Sequence, residues 1–240
     1  MTADSPAIRG PVVVSGTDTE VGKTVVTAAI AAAAKTRDLR VAVAKPCQTG
    51  VTAGGESDVD VVTRLADPDT AVTLASYGPP LAPTVAARLT GAAQVRLHGV
   101  AKEIRNLASH HDLVLVEGAG GLLVPMGERN WTVAELAVEL RAPVVVVVRA
   151  GLGTLNHTAL TLEALARRGV RGIVVVGAWP VEPDLVHRTN LRELPELAGV
   201  VPESVGGLST TTFREAAPKW LTPRLHGELD ISEFIAREGR

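Results

Sequence analysis

The residues best suited to chemistry follow Val12, in the stretch VVVSGTDTEVGKTVV. It contains Gly22-Lys23-Thr24, the end of the phosphate-binding pattern G-x-x-x-x-G-K-[ST], although five residues rather than four separate Gly16 from Gly22. Gly22 would let backbone N–H groups face phosphate oxygens at a helix N-terminus. Lys23 would neutralise those oxygens, and the Thr24 hydroxyl would reach Mg²⁺. Because a β-branched run precedes the motif and a helix-compatible run follows it, we interpret it as a phosphate loop rather than a glycine turn.

Charged residues at or after apolar runs could complete such a site. Lys45, in VAVAKPCQTG, ends a predicted strand, where its ammonium either stabilises a developing anion or only extends to solvent. Glu117 follows the apolar run of DLVLVEGAGG, where a Walker-B-like carboxylate holds the metal directly or through water. Asp58, in ESDVD, is a further candidate metal ligand, but locally a helix cap or a solvated acid is the better interpretation.

A third segment, RAGLGTLNHT from Arg149 to Thr158, lies between a valine strand and a predicted helix. Its backbone N–H groups and Asn156 offer donors suited to a carboxylate at a helix N-terminus. An ordinary loop with a helix cap explains the same residues equally well. Cys47 has no evident chemical partner in the sequence, and we interpret it as a small neutral filler.

Strand-like and helix-like segments alternate along the chain, which predicts βαβ units and a mostly parallel sheet with helices on both faces. The predicted strands are Pro11–Ser15, Arg40–Ala44, Asp112–Val116, Pro143–Val148, Gly172–Val176 and, more weakly, Ala198–Val201. The predicted helices are Thr24–Thr36, Gln94–Ser109, Thr132–Leu140, His157–Arg168 and Asp184–Leu194. Thr132 and Glu135 form a capping box at one helix start. The fold class predicted is therefore α/β, a P-loop NTPase fold, with ligands at the carboxyl edge of the sheet.

Composition limits the function classes. Hydrophobic residues make up 46% of the 240 residues but aromatic residues only 2%, which indicates an aliphatic core under helices. The net charge of −2, without a basic block, argues against nucleic acid. No apolar run reaches the roughly 20 residues of a membrane span, and the start lacks a signal-peptide pattern. We expect a cytoplasmic protein with one domain over residues 1–240, of which 1–10 and 223–240 are peripheral tails.

Four blocks, GTDTEVGKT, KPCQTG, EGAGG and GLGTLNHT, occur in this order, and together they resemble the dethiobiotin synthetases over roughly Val12 to Trp220. The resemblance implies an ATP- and Mg²⁺-dependent cyclo-ligase of biotin synthesis. Such an enzyme carbamylates 7,8-diaminopelargonate with CO₂ derived from bicarbonate, phosphorylates the carbamate, and closes the ureido ring. The products are dethiobiotin, ADP and phosphate.

The resemblance also assigns roles to residues of this sequence. Lys45 would be catalytic, stabilising the carbamate and the transferring phosphoryl group. The nucleotide-binding set would be Thr19, Glu20, Val21, Gly22, Lys23, Thr24, Asp58, Glu117, Gly118, Ala119, Gly120, Gly177, Ala178, Pro202 and Glu203. The metal ligands would be Thr24, Asp58 and Glu117. Substrate would be bound by Thr49, Gly153, Thr154, Leu155 and Asn156. The turn 153–156 would hold the substrate carboxylate from the neighbouring subunit, which implies a homodimer.

One departure from the family concerns the nucleotide base. Gly177-Ala178 stands where family members often have an asparagine that reads adenine, so we predict that other nucleoside triphosphates are accepted as well as ATP. Replacing Gly177 with Asn is expected to sharpen the preference for ATP.

Two alternatives fit the motifs less well. A cobyrinate or cobyrate synthase would need a glutaminase domain and a nucleophilic cysteine. A partitioning-type ATPase would be expected to carry a lysine where this loop reads Thr17-Asp18-Thr19.

Overall fold

A computed structural model describes residues 6–51 and 54–239 of the chain. The strands are β1 Gly10–Gly16, β2 Val41–Lys45, β3 Gln48–Thr49, β4 Thr70–Thr73, β5 Ser76–Tyr77, β6 Leu113–Gly121, β7 Val144–Val148, β8 Gly172–Trp179 and β9 Leu197–Pro202. The α-helices are α1 Lys23–Lys35, α2 Asp58–Ala66, α3 Pro83–Thr90, α4 Leu97–Ala108, α5 Val133–Leu140, α6 Thr154–Ala166, α7 Leu185–Glu193, α8 Thr210–Ala216 and α9 Ile231–Glu238. Short 3₁₀ turns occupy Glu128–Asn130, Val205–Gly207, Ala217–Trp220 and Pro223–Leu225.

The central element is a sheet in which, over the described residues, seven strands follow the order β4-β2-β6-β1-β7-β8-β9. Every neighbouring pair in this sheet is parallel, which confirms the predicted fold class. Strands β3 and β5 form a small parallel pair beside it. Since the strands are parallel, their carboxyl ends share one edge, and the loops after β1, β2, β6 and β7 meet there.

The core lies on both faces of the sheet, and the strands divide their side chains between the two. On β1, Val12 and Val14 pack against α1, α2 and α8, whereas Val13 faces the layer that contains α3, α4 and α5. All five valines of β7 are buried. Because successive strand residues point to opposite faces and both faces are covered, these strands are continuous apolar runs rather than alternating ones. The core is therefore mainly aliphatic, and it also buries the aromatic side chains of Tyr77, Trp131, Trp179 and Phe213.

The strong periodic segments were predicted correctly, and the short or amphipathic ones were missed. The six predicted strands correspond to β1, β2, β6, β7, β8 and β9, with ends shifted by a few residues. Helix α6 begins at Thr154 rather than His157. The capping box of α5 is confirmed, since the Thr132 N–H donates to the Glu135 carboxylate at 2.9 Å. The elements α2, α3, α8, α9, β3, β4 and β5 were not predicted.

The segments expected to be peripheral tails contact each other. The Ile8 N–H donates to the Arg224 carbonyl at 3.1 Å, and His226 Nε2 lies 2.9 Å from the Ile8 carbonyl oxygen. Leu225 is fully buried, so the chain from about residue 223 packs against the domain. The remainder of the predicted tails, residues 1–5 and 240, lies outside the described residues. Within residues 6–51 and 54–239, no helix is long and apolar enough to span a membrane.

Candidate active site

The phosphate-loop motif connects β1, in the centre of the sheet, to α1. The Thr17 N–H donates to the Val147 carbonyl at 3.0 Å, which fixes the start of the loop to β7. Gly22 adopts φ 95°, and a β-carbon there would lie 2.6 Å from the Gly177 carbonyl oxygen. Position 22 therefore requires glycine for its left-handed backbone and for its close approach to β8. The loop is held on two sides by backbone of the sheet.

Lys23, the first residue of α1, is 8% exposed. Its Nζ donates to the Asp18 carbonyl at 2.9 Å, so the ammonium joins the two ends of the loop. Burial lowers the pKa of Lys23 despite the opposing charges of Glu117 and Asp58. A cation of this kind, on a flexible stem beside a helix N-terminus, is suited to phosphate.

Four predicted residues meet next to this lysine, although each comes from a different element. The Thr24 hydroxyl of α1 lies 2.9 Å from Glu117 Oε1 of β6 and 3.2 Å from Asp58 Oδ1 of α2. Lys45 Nζ, at the end of β2, lies 2.5 Å from Asp58 Oδ2 and 2.8 Å from Glu117 Oε1. We call Thr24, Lys45, Asp58 and Glu117 the cation cluster.

Charge and burial explain the state of Lys45. Its side chain is only 4% exposed and that of Glu117 only 2%, whereas the Asp58 side chain is 34% exposed. Burial alone would lower the pKa of Lys45, but the carboxylates of Glu117 and Asp58 outweigh burial and raise it. Lys45 is therefore a buried ammonium paired with two carboxylates, and the alternative of a surface lysine extending to solvent is wrong.

The local interpretation of Asp58 as a helix cap is also wrong. Ser57 caps α2, its side chain accepting from the Asp60 N–H while the Asp60 carboxylate accepts from the Ser57 N–H. Since Ser57 and Asp60 complete the capping box, the Asp58 side chain points to Thr24 and Lys45 instead. The sequence ESDVD contains this capping box, but it does not show which of the two aspartates completes the box and which is free to contact other elements.

The donor atoms of the cation cluster suit one mode of metal binding. Across residues 6–51 and 54–239, no group of three or more His, Cys, Asp or Glu could hold a metal ion on its own. Mg²⁺, however, keeps several waters and binds through one or two carboxylates together with substrate phosphates. The Thr24 hydroxyl and the carboxylates of Asp58 and Glu117 fit that pattern beside a phosphate loop.

A cavity of about 460 Å³ opens at the cation cluster. This volume is in the usual range for a small-molecule site. It is lined by Thr19, Glu20, Gly22, Lys23, Thr24, Val25, Lys45, Cys47, Gln48, Thr49, Asp58, Glu117, Ala119 and Gly120. Gly118 is not in this lining, but its carbonyl accepts from the lining residue Lys45 at 3.0 Å.

Sequence reasoning missed Gln48 as a member of this site. Its Oε1 accepts from the Asp58 N–H at 3.2 Å, and its Nε2 donates to the Thr49 carbonyl at 3.0 Å. Gln48, the first residue of β3, thus joins this short strand to the start of α2. Gln48 belongs to the KPCQTG block, and this position was the sequence feature that could have indicated a site residue. Cys47 is fully buried, and burial raises its pKa to about 12, which agrees with its interpretation as a neutral filler.

A second cavity, of about 220 Å³, lies beside the phosphate loop. Its lining comprises Glu20, Val21, Arg149, Ala150, Gly151, Ala178, Pro180, His187 and Glu203. Arg149 was not predicted; its guanidinium lies 3.3 Å from Asp18 Oδ2 and 3.2 Å from the Thr19 carbonyl oxygen. Pro202 ends β9 and pairs with Trp179 of β8. Of the four residues predicted to bind the base, Ala178 and Glu203 line this cavity, whereas Gly177 and Pro202 are not part of its described lining.

The backbone at Gly177 corrects one expectation. A β-carbon there would lie 1.9 Å from the Val21 carbonyl oxygen and 2.6 Å from Val147 Cγ1. The phosphate loop occupies the space that an asparagine side chain would need. Replacing Gly177 with Asn would therefore displace the loop rather than sharpen base selection. The adjacent Ala178 is exposed and brings only a methyl group.

The predicted substrate turn lies apart from the larger cavity, since residues 153–156 are absent from the described lining. Gly153 adopts φ 89° and precedes the first turn of α6. Within the described part of the chain, the buried Thr154 hydroxyl has no hydrogen-bond partner. Leu155 and Asn156 are exposed.

The glycine loop between the central strand and α1, with Lys23 and Thr24 at its end and an acid on the adjacent strand, defines a P-loop NTPase. Solved structures share this fold: a plasmid partition protein from Borrelia burgdorferi matches with a TM-score of 0.55 and 10% identity over 89% of this chain and 97% of that chain. The MinC:MinD cell division complex of Aquifex aeolicus matches with a TM-score of 0.52 and 14% identity, covering 95% of this chain and 96% of that one.

Sequence comparison is more specific than the fold. The profile of an AAA domain family, AAA_26, matches residues 11–208. The ATP-dependent dethiobiotin synthetase BioD of Saccharopolyspora erythraea is 55% identical over 90% of this chain and 96% of its own length. The BioD of Rhodococcus jostii is 52% identical over 87% of this chain and 93% of its own length. The chain belongs to the ATP-dependent dethiobiotin synthetases, enzymes of biotin biosynthesis. This confirms the resemblance and decides against the partitioning and amidoligase alternatives.

Proposed function

We propose that the chain converts 7,8-diaminopelargonate, CO₂ and a nucleoside triphosphate to dethiobiotin, nucleoside diphosphate and phosphate. One amine of the substrate attacks CO₂ and loses a proton to give a carbamate. A carbamate oxygen then attacks the γ-phosphorus, and the nucleoside diphosphate leaves. The second amine attacks the carbamoyl carbon and loses a proton, phosphate leaves, and the ureido ring closes. The observation that carries the proposal is the cation cluster beside the phosphate loop in a cavity of about 460 Å³.

Phosphoryl transfer needs positioning and charge neutralisation more than covalent catalysis. The loop from Thr19 to Thr24 would hold the phosphates through backbone N–H groups, and Lys23 would turn from the Asp18 carbonyl to a phosphate oxygen. Thr24, Asp58 and Glu117 would hold Mg²⁺, which supplies positive charge against the β- and γ-phosphates when bound. The segment 118–120, which ends β6, would pack against phosphates and substrate.

In our proposal Lys45 acts on the carbamate, the acceptor of the phosphoryl group. It is cationic and almost completely buried, and it lines the same cavity as Thr49. A charge in a water-poor site stabilises developing negative charge more strongly than it would in water. In our proposal Lys45 contacts the carbamate and the moving phosphoryl group, while Thr49 contacts the diamine.

The carboxylate end of the substrate would be bound by a second copy of the chain. The turn 153–156 opens the thirteen-residue helix α6, and its buried Thr154 hydroxyl lacks a partner within the described residues. The N-terminus of a helix favours an anion. Because the turn is not part of the described cavity lining and the neighbouring Leu152 is 91% exposed, we propose a homodimer in which each turn completes the other subunit's site.

Nucleotide selection at the base would be weak. Gly177 has no room for a side chain, and Ala178 brings no hydrogen-bonding group. Two charged side chains nearby already have partners, since Arg149 contacts Asp18 and Thr19, and Glu203 accepts from the Val181 N–H at 3.0 Å. We therefore propose that GTP and CTP replace ATP, because binding comes chiefly from the phosphates and the metal. We also propose a cytoplasmic location, because the reaction consumes a nucleoside triphosphate.

The test is a coupled assay of ADP release with diaminopelargonate and bicarbonate, each omitted in turn, together with detection of dethiobiotin by mass spectrometry. ADP release should require both substrates and should match dethiobiotin formation one to one. ADP release that continues without diaminopelargonate, with no dethiobiotin formed, would contradict the proposed reaction.

A further inference from the structure

The ammonium of Lys45 has three acceptors around it. They are Asp58 Oδ2 at 2.5 Å, Glu117 Oε1 at 2.8 Å and the Gly118 carbonyl oxygen at 3.0 Å. A lysine ammonium has three donors, so this arrangement satisfies all of them. The Lys45 side chain is also 4% exposed. The lysine is therefore held firmly in one place.

That place coincides with the donor atoms that suit Mg²⁺. Glu117 Oε1 lies 2.8 Å from Lys45 Nζ and also 2.9 Å from the Thr24 hydroxyl. The Asp58 carboxylate likewise contacts both residues, through its two oxygens. A metal ion bound by Thr24, Asp58 and Glu117 would have to share these oxygens with the ammonium. Two cations in contact with the same carboxylate oxygens repel each other strongly in a buried site.

We propose that Lys45 is a resident cation that occupies the metal-binding carboxylates until the nucleotide brings Mg²⁺ with it. The inference rests on the proposed metal ligands Thr24, Asp58 and Glu117. The carboxylates of Asp58 and Glu117 are already paired with Lys45, and the phosphates of the nucleotide supply the additional negative charge that Mg²⁺ would need as a second cation. The four-carbon stem of Lys45 then carries the released ammonium towards the acceptor substrate in the same cavity. The metal enters with the nucleotide, and its entry frees the catalytic lysine.

The neighbouring Lys23 provides a matched control. It lines the same cavity and carries the same charge, but its Nζ donates to the Asp18 carbonyl at 2.9 Å rather than to a carboxylate. If only the total charge of the cavity mattered, removing either lysine would have the same effect on metal binding. If Lys45 occupies the metal position, only its removal vacates the oxygens.

The test measures Mn²⁺ binding to nucleotide-free protein from the electron paramagnetic resonance signal of free Mn²⁺. Wild type should bind Mn²⁺ weakly, Lys45→Met at least about tenfold more tightly, and Lys23→Met within about threefold of wild type. If both variants bind Mn²⁺ more tightly by the same factor, the inference is wrong and the effect is due to the total charge of the cavity. Unchanged Mn²⁺ affinity in Lys45→Met would also overturn it.

A second variant and a ternary complex keep the result interpretable. Lys45→Gln retains a hydrogen-bond donor without charge, so it serves if Lys45→Met does not fold, and it should also tighten Mn²⁺ binding. With a non-hydrolysable ATP analogue present, wild type should bind Mn²⁺ tightly, and the difference from the Lys45 variants should shrink. If Mn²⁺ fails to bind even then, and Asp58→Asn and Glu117→Gln change nothing, the proposed metal site itself is wrong.

Discussion

Gly177→Ala adds a single methyl group at the point where the phosphate loop touches β8. The new carbon would lie 1.9 Å from the Val21 carbonyl oxygen, whereas such contacts normally stay near about 3.3 Å. The nearest atom belongs to the backbone of Val21, which cannot rotate away, so loop and strand must separate by roughly 1.4 Å, the difference between those distances. Overpacking of this kind costs about 1–3 kcal/mol. For a domain of this size the unfolding midpoint should fall by about 2–4 °C per kcal/mol.

Displacement of the loop should reduce activity as well as stability, because a misplacement of about 1 Å can cost on the order of 100-fold in rate. Thermal unfolding and kcat/KM for ATP are measured for Gly177→Ala and for the control Gly78→Ala, where an added β-carbon meets nothing within 4 Å. The control should behave like wild type. A Gly177→Ala protein with an unchanged midpoint and unchanged kcat/KM would show that loop and strand are not in close contact.

Four further predictions follow from the proposed site. Lys23→Ala and Thr24→Val should each abolish turnover and leave the circular dichroism spectrum unchanged; near-wild-type turnover in either would remove the phosphate-loop assignment. Lys45→Ala should lower kcat by the equivalent of about 2.7–4 kcal/mol with a smaller effect on nucleotide binding, whereas activity restored at saturating nucleotide would make Lys45 only a binding residue. Mixed subunits of Lys45→Ala and Asn156→Ala should regain partial activity, and a fully active monomer would refute the shared site. GTP or CTP should support turnover within about tenfold of ATP, or about 1.4 kcal/mol; an ATP preference of roughly a thousandfold would show that backbone groups read the base.

Features that depend on neighbours in the chain could be predicted from sequence. The phosphate loop is a local motif whose glycine, lysine and threonine stand next to one another between a strand and a helix. The buried parallel strands are continuous aliphatic runs because helices cover both faces of the sheet. The capping box of Thr132 and Glu135 is likewise a contact over three residues. Short strands such as β3 and β5 carry too few residues for a periodic pattern to be visible.

By itself, then, the sequence determined the P-loop class, the family, and the candidates Lys23, Thr24, Lys45, Asp58 and Glu117. Which of those candidates touch was decided only by the tertiary structure. The 2.5 Å contact between Lys45 and Asp58 joins the end of β2 to the start of α2. The local sequence pattern had instead favoured a helix cap or a solvated acid at Asp58. The role of Gly177 could not be predicted for the same reason. The atom that excludes a side chain there belongs to Val21, more than 150 residues earlier in the chain, and a glycine in the sequence does not show which residue occupies the space beside it. Contacts between distant segments follow from how β-strands order in the sheet, and no local periodicity encodes that order.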